Sequence, residues 1–206
     1  MNEQDSGIHV TGTGKAGGAP DVMVLEAGVE VVADDPGAAF ERAKVALAGL
    51  REAVLGQGVE ATDLQTSQVN LYPTHDRDGR MNGHQASLGL TITVRDIAGS
   101  GAVIDAVTAG AGEHARLSGI RLDHSDPESL VMLARRRAMA DARARAVELA
   151  GLADRSVGRC VRLEESGGFP APRMMAARSM PAAEMMVDAG EVEQTVSVAT
   201  VWEFAD

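Results

Sequence analysis

The stretch VTGTGKAGGAPD, residues 10–21, decides between two kinds of fold. Gly12, Gly14 and Gly17 satisfy G-x-G-x-x-G, and Lys15 sits inside the run. A phosphate-cradling loop there would open a parallel α/β nucleotide fold: strand, glycine loop, then a helix whose N-terminus holds the pyrophosphate. The residues downstream do not follow that order. Pro20-Asp21 leads straight into a strand-patterned segment, and a helical pattern starts only after Pro36. A Walker A loop needs Ser or Thr after Gly-Lys, whereas Ala16 follows Lys15. The run is therefore read as a glycine-rich connection between a short strand, residues 7–13, and a long one, residues 21–33. A phosphate site, and with it a nucleotide-dependent enzyme, is the less favoured reading.

Outward from this stretch, hydrophobic periodicity assigns the rest. In residues 21–33, Met23, Leu25, Ala27, Val29 and Val31 fall on one face, with Glu26 and Glu30 on the other. A helix follows, with Asp35 as N-cap and Pro36 at its first position. Its apolar stripe is Phe40, Leu47, Leu50 and Val54, and Gly56 and Gly58 end it. Residues 62–76 and 82–96 read as a hairpin around the Asp78-Gly79 turn. A helix near 97–109 and a strand near 115–123 come next. The longest helix opens at SDPESL, where Ser125 and Glu128 have capping-box spacing. Ala134, Ala138, Ala142, Ala146 and Ala150 recur along it every four residues. Such a ridge carries little bulk and lets the helix lie very close to a sheet or another helix. Strands at 157–165 and 191–204 close the chain, with a Met- and Pro-rich loop, 166–189, between them. On the last strand Val192, Val196, Val198, Thr200, Trp202 and Phe204 share a face.

The predicted class is α+β, with mixed or antiparallel sheets packed with three helices in the order ββαββ-αβαββ. One domain, 1–206, is expected, built of two loosely similar halves at about 7–96 and 97–205.

Composition narrows the function. A net charge of −11 lacks the basic footprint of a general nucleic-acid binder. Phe40, Tyr72, Phe169, Trp202 and Phe204 are the only aromatics, too few for base stacking. Cys160 is the only cysteine, so no intramolecular disulfide or cysteine-based zinc site forms, and a buried, inert thiol is expected. No stretch approaches the roughly 20 apolar residues of a membrane helix. The opening MNEQDSGIHV has no charged region followed by an apolar one, so the sequence as written reads as cytoplasmic. A chain already relieved of its export signal would look the same, and would be periplasmic.

Met174, Met175, Met180, Met185 and Met186 crowd the late loop. Thioethers are soft ligands suited to copper(I), but adaptable contact with a protein partner is the favoured reading. None of His9, His75, His84, His114 and His124 has metal-site spacing to another, and His75 with Asp76 and Asp78 at the hairpin turn is the nearest approach to a metal cluster. Arg135-Arg136-Arg137 is the one basic cluster, read as a solvated helix face or a partner for acidic groups of another subunit. No G-x-S-x-G or other local nucleophile constellation is present, so no catalytic residue, cofactor or metal ligand is assigned.

Several blocks together resemble the SIMPL-domain, or YggE-like, family. They are VTGTGKAGGAPD with the long strand after it; GVEATDLQTSQVNLYP, where Gly58, Asp63, Gln65, Thr66 and Pro73 match the pattern; ASLGLTITVRD; the alanine-rich helix ARRRAMADARARAVELAGLAD; VGRCVRLEES; and VSVATVWEF. The resemblance runs from about residue 8 to 204. It implies an α+β fold and assembly into large, in some cases ring- or barrel-like, homo-oligomers. It further implies a periplasmic or envelope setting linked to oxidative-stress tolerance or surface antigenicity. It carries no catalytic residue with it. His84-Gln85 departs from the family, where an aromatic and a basic residue often follow the hairpin turn. The leading expectation is a non-enzymatic, self-assembling protein with a stress-related or scaffolding role. The alternative is a small-ligand or copper binder using the Met-rich loop.

Overall fold

The computed structural model describes residues 7–166 and 190–205. The expected contact loop, with Met174, Met175, Met180, Met185 and Met186, lies outside the described residues. Within them the fold is α+β, in the order read from the sequence: β1 (Ile8–Gly18), β2 (Val22–Ala33), α1 (Pro36–Leu55), β3 (Leu64–His75), β4 (Met81–Val94), α2 (Ser100–Ala111), β5 (Ala115–Asp123), α3 (Pro127–Leu152), β6 (Ser156–Ser166) and β7 (Val192–Ala205). Single 3-10 turns at Ala61–Asp63 and Gly112–His114 precede β3 and β5. The strands form two antiparallel sheets, β3-β4-β2-β5 and β1-β7-β6.

The chain divides into two compact units, Asp21–Asp123 and Met1–Pro20 with His124–Asp206. β1 pairs along its whole length with β7, from Ile8 opposite Trp202 to Gly18 opposite Val192. That pairing draws the first strand into the unit formed by the end of the chain.

In the unit Asp21–Asp123, α1 and α2 cover one face of the four-stranded sheet. Met23, Leu25, Ala27, Val29 and Val31 of β2 are buried there with Ala86, Leu88, Leu90, Ile92 and Val94 of β4. Asp35 caps α1, its Oδ1 accepting from the Ala38 N–H at 2.9 Å, and Pro36 takes the first position because its missing N–H is not needed there. Leu50 and Val54 are fully buried, while Phe40 and Leu47 are partly covered. Ala39 and Ala43 bring the helix down on the sheet. The helices also meet closely: a Cβ on Gly49 or on Gly110 would lie 2.6 Å from the other residue's carbonyl oxygen. Helix α2 starts at Ser100 rather than 97, because Ile97 packs against the core first and the Ser100 N–H closes a turn onto its carbonyl.

In the second unit, α3 covers one face of β1-β7-β6. The strand β1 does not stop at residue 13. It runs through the whole glycine run to Gly18, and the passage to β2 falls at residues 19–21. Gly12 and Gly14 are there for a different reason from the expected turn. A Cβ on Gly12 would lie 2.2 Å from the Ala138 carbonyl oxygen and 2.4 Å from the Ala142 nitrogen. On Gly14 it would lie 2.1 Å from the Ala134 oxygen and 2.3 Å from the Ala138 nitrogen. The alanine ridge of α3 therefore seats directly on backbone, and Ala134, Ala138, Ala142, Ala146 and Ala150 are all buried. Val196, Val198 and Trp202 of β7 complete the core with Ile8 and Leu130. The Trp202 indole N–H donates to Thr200 Oγ1 at 2.8 Å, and that hydroxyl donates to the Val10 carbonyl at 3.3 Å. Gln194, absent from the apolar row read from the sequence, is buried in it. The N-cap of α3 is Asp126, not Ser125: its carboxylate accepts from the Ser129 N–H at 3.0 Å. Pro127 occupies the first helical position, which leaves Asp126 as the cap.

Candidate functional site

The glycine run offers no phosphate cradle. Residues 12–18 are extended strand paired with β7, not a loop that opens a helix, so their N–H groups do not converge on one point as a phosphate cradle requires. The Lys15 ammonium lies 2.9 Å from Glu193 Oε1, and Arg137 donates to the Lys15 carbonyl at 2.5 Å. Asp141 of α3 reaches the same strand. Its Oδ2 accepts from the Thr13 N–H at 2.8 Å, and it pairs with Arg145 at 3.0 Å, the i,i+4 pair seen in the sequence. The Thr13 bond first, and then Arg145, hold its carboxyl below the ordinary value of 3.8. These groups pin α3 to β1; none faces open space with a reactive partner.

The basic cluster also resolves into contacts within the chain. Arg135 donates to Glu165 of β6 at 2.7 Å, which lowers the glutamate's pKa and raises the guanidinium's. Arg136 sits 3.6 Å from the Met132 sulfur. The hairpin acids do structural work too. Asp76 Oδ1 accepts from the N–H groups of Asp78 and Arg80 at 3.0 and 2.9 Å, closing the turn around Gly79, whose φ is +78°. In the hairpin register His84 stands opposite Pro73 and His75 opposite Met81, and His84 Nδ1 lies 3.3 Å from the Asp34 carbonyl oxygen. Among the described residues no three His, Cys, Asp or Glu side chains gather as a metal site. Cys160 is half-buried, not buried, because β6 is an edge strand whose register slips on both sides of it; its thiol donates to the Arg162 carbonyl at 3.2 Å.

Two open depressions are present among the described residues. One, of about 320 Å³, lies over β7 between His9 and Thr11 on one side and Arg162 and Glu164 on the other. The second, of about 420 Å³, lies beside the end of α3 at Asp154 and Arg155. Neither has the mostly apolar, enclosing walls of a small-molecule site, and neither joins a nucleophile to a base.

The chemistry that distinguishes this surface lies at the sheet edges. β5 carries Arg116 and Arg121, paired with Glu30 and Glu26 of β2 at 3.1 and 3.2 Å. β6 carries Arg159 paired with Glu203, and Arg162 paired with Glu164. β1 carries Lys15. The twelve-residue edge strand β3, LQTSQVNLYPTH, holds no Asp, Glu, Lys or Arg. Val69, Leu71 and Tyr72 are 58%, 43% and 55% exposed along it. Val69 stands opposite Leu88 and Leu71 opposite Ala86, so both belong to the face that is buried on β4. The apolar face of the sheet thus extends onto β3 and is left uncovered there. Three features interrupt the strand: a register shift between Thr66 and Gln68, Pro73, and a second shift between Thr74 and His75. Between the first two lies a regular uncharged run, Gln68 to Tyr72. Charge, proline and bulges are how edge strands are kept from pairing with other chains, and this run has none of them inside it. The sequence of β3 does not single it out, because its polar–apolar alternation is that of any half-covered strand; its position at an edge is a property of the sheet.

No helix among the described residues is long and apolar enough to cross a membrane. The chain is 31% identical over 219 residues to the 26 kDa periplasmic immunogenic protein of Brucella melitensis biotype 1, covering 98% of this chain and 86% of the relative. The protein of the same name from Brucella abortus strain S19 matches with the same identity and coverage. The names of both relatives describe them as periplasmic and immunogenic. A family profile, SIMPL, described as a protein of unknown function (DUF541), matches residues 8–202, nearly the whole chain. The chain belongs to the SIMPL family.

Proposed function

We propose that this chain is a non-enzymatic, self-assembling subunit of the bacterial envelope, with a stress-related or scaffolding role. The observation that carries the reading is the uncharged, exposed edge strand β3 on a chain whose net charge is −11. Like-charged copies repel at most of their surface, so association concentrates where charge is missing and apolar side chains are bare. The periplasmic naming of both relatives supports the envelope setting. In this reading Met174, Met175, Met180, Met185 and Met186 supply adaptable apolar contact to the assembly, since thioethers fit irregular surfaces.

Light scattering on the purified chain at micromolar concentration tests the assembly. A mass of two or more chains is expected, and a strict monomer overturns the reading. A thermal-shift panel of nucleotides tests the absence of an enzyme site. No midpoint change is expected, because a ligand of the native state must raise stability; a large rise with any nucleotide would restore the glycine-run enzyme.

A further inference from the structure

We infer that β3 is the contact strand, and that a second copy of this chain pairs its own β3 antiparallel to it across a two-fold axis at Asn70. The inference rests on the self-assembly reading and specifies its surface. Three observations lead to it. Each of the other edge strands carries charge that is tied into ion pairs, so β3 alone meets a copy of itself without burying a charge. An antiparallel strand pair is self-complementary: one strand supplies both sides of a two-fold contact. The regular run Gln68–Tyr72 is bounded by the register shift before it and Pro73 after it, and Asn70 is its midpoint.

That midpoint fixes the neighbours. With Asn70 opposite Asn70 of the second copy, Val69 stands opposite Leu71 and Gln68 opposite Tyr72. Directly opposed Cβ atoms lie about 4.5–5.5 Å apart in such a pair. The four bare side chains, Val69 and Leu71 from each copy, then form one apolar cluster on the helix side. The two four-stranded sheets become a single eight-stranded sheet, β5-β2-β4-β3 continued by its mirror order. A one-residue slip of this register would bring Val69 against Asn70 of the copy and break the cluster, so the side-chain pattern favours one register.

Site-specific cross-linking of the full chain tests it. Asn70→Cys is made in a Cys160→Ala background and treated with a short bis-maleimide at micromolar concentration. Ser118→Cys, exposed on the β5 edge of the same sheet, is the control. Covalent dimer from Asn70→Cys is expected to exceed that from the control by roughly tenfold or more. Val69→Lys, at an exposed position, is expected to keep a wild-type circular dichroism spectrum. It is expected to shift the dimer midpoint to a roughly tenfold higher concentration or beyond, because each lysine would stand opposite Leu71 of the other copy and put a charge into the apolar cluster. An assembly seen by light scattering without preferential cross-linking at position 70 overturns the strand assignment and leaves self-assembly standing. So does a cross-link from position 70 to Cys160 of another copy when that thiol is retained, which would make β6 the occupant. A monomer by light scattering overturns both.

Discussion

Replacing Gly14 by alanine adds one methyl group and tests how α3 is held. The new Cβ would sit 2.1 Å from the Ala134 carbonyl oxygen, 2.3 Å from the Ala138 nitrogen and 2.9 Å from the Arg137 carbonyl carbon. All three are backbone atoms of a helix, so no side-chain rotation relieves them. Regaining ordinary contact near 3.4 Å requires α3 and β1 to separate by more than about 1 Å. A gap of about 0.5–1 Å already forfeits a quarter to a half of the dispersion energy of the atoms facing it. The loss falls on the ridge residues Ala134, Ala138 and Ala142, each wholly buried. Overpacking typically costs about 1–3 kcal/mol, and with backbone on both sides this site belongs at the upper end, about 3 kcal/mol or more. Urea unfolding followed by Trp202 fluorescence measures it, at one fixed protein concentration because assembly adds stability. Gly151→Ala, on the same helix with no atom within 4 Å of the new Cβ, is the control and is expected to gain up to about 1 kcal/mol. The double variant Gly14→Ala, Ala138→Gly is expected to recover nothing, since the clash is with backbone. A loss below about 1 kcal/mol, or rescue by the double variant, would refute the close seating of α3 on β1.

Thr200→Val keeps the shape of its side chain but leaves the buried Trp202 indole N–H without its acceptor; a loss of about 1–3 kcal/mol in the same assay is expected, and one below about 0.5 kcal/mol would show that the bond contributes little. Asp141, with a folded pKa below 3.8, stabilises the chain at neutral pH, and this contribution disappears as pH falls through the folded value. Asp141→Ala is therefore expected to be less stable than wild type near pH 7 and to converge with it as the pH is lowered through the folded value, in urea titrations at a series of pH values. A gap of equal size at every pH would assign the aspartate's effect to packing instead of charge. Glu165 and Glu203, lowered from 4.5 by Arg135 and Arg159, have the same sign, and each loses its small contribution as pH falls.

Much of the fold was legible because its signals are local. Alternation along Met23–Val31 and Leu88–Val94 marks strands whatever they pair with. The Asp35-Pro36 start of α1 and the Asp78-Gly79 turn depend on residues within a few positions of one another. The same locality explains the misread cap of α3, where Ser125 and Asp126 are both competent and the geometry at Pro127 chooses. Cys160 was misjudged because apolar neighbours in sequence mark a strand but not whether that strand is central or at an edge.

The glycine run shows the boundary most clearly. By sequence alone, the missing helix and the missing Ser or Thr after Lys15 already separate it from a nucleotide loop, and the alanine spacing of α3 already announces a helix built for close approach. What the glycines approach is decided only in three dimensions. Gly14 meets Ala134 and Ala138, residues 120 or more positions away, across a seam that exists because β1 is paired with β7 at the other end of the chain. A turn and a bare strand need the same residue, one for its backbone freedom and the other for its missing Cβ. Likewise the charge-free composition of β3 is written in the sequence, but its exposure follows from sheet order, which places it outside β4 with no strand beyond it among the described residues. Periodicity is a property of neighbours along the chain; close packing and open edges depend on which elements the tertiary structure sets side by side.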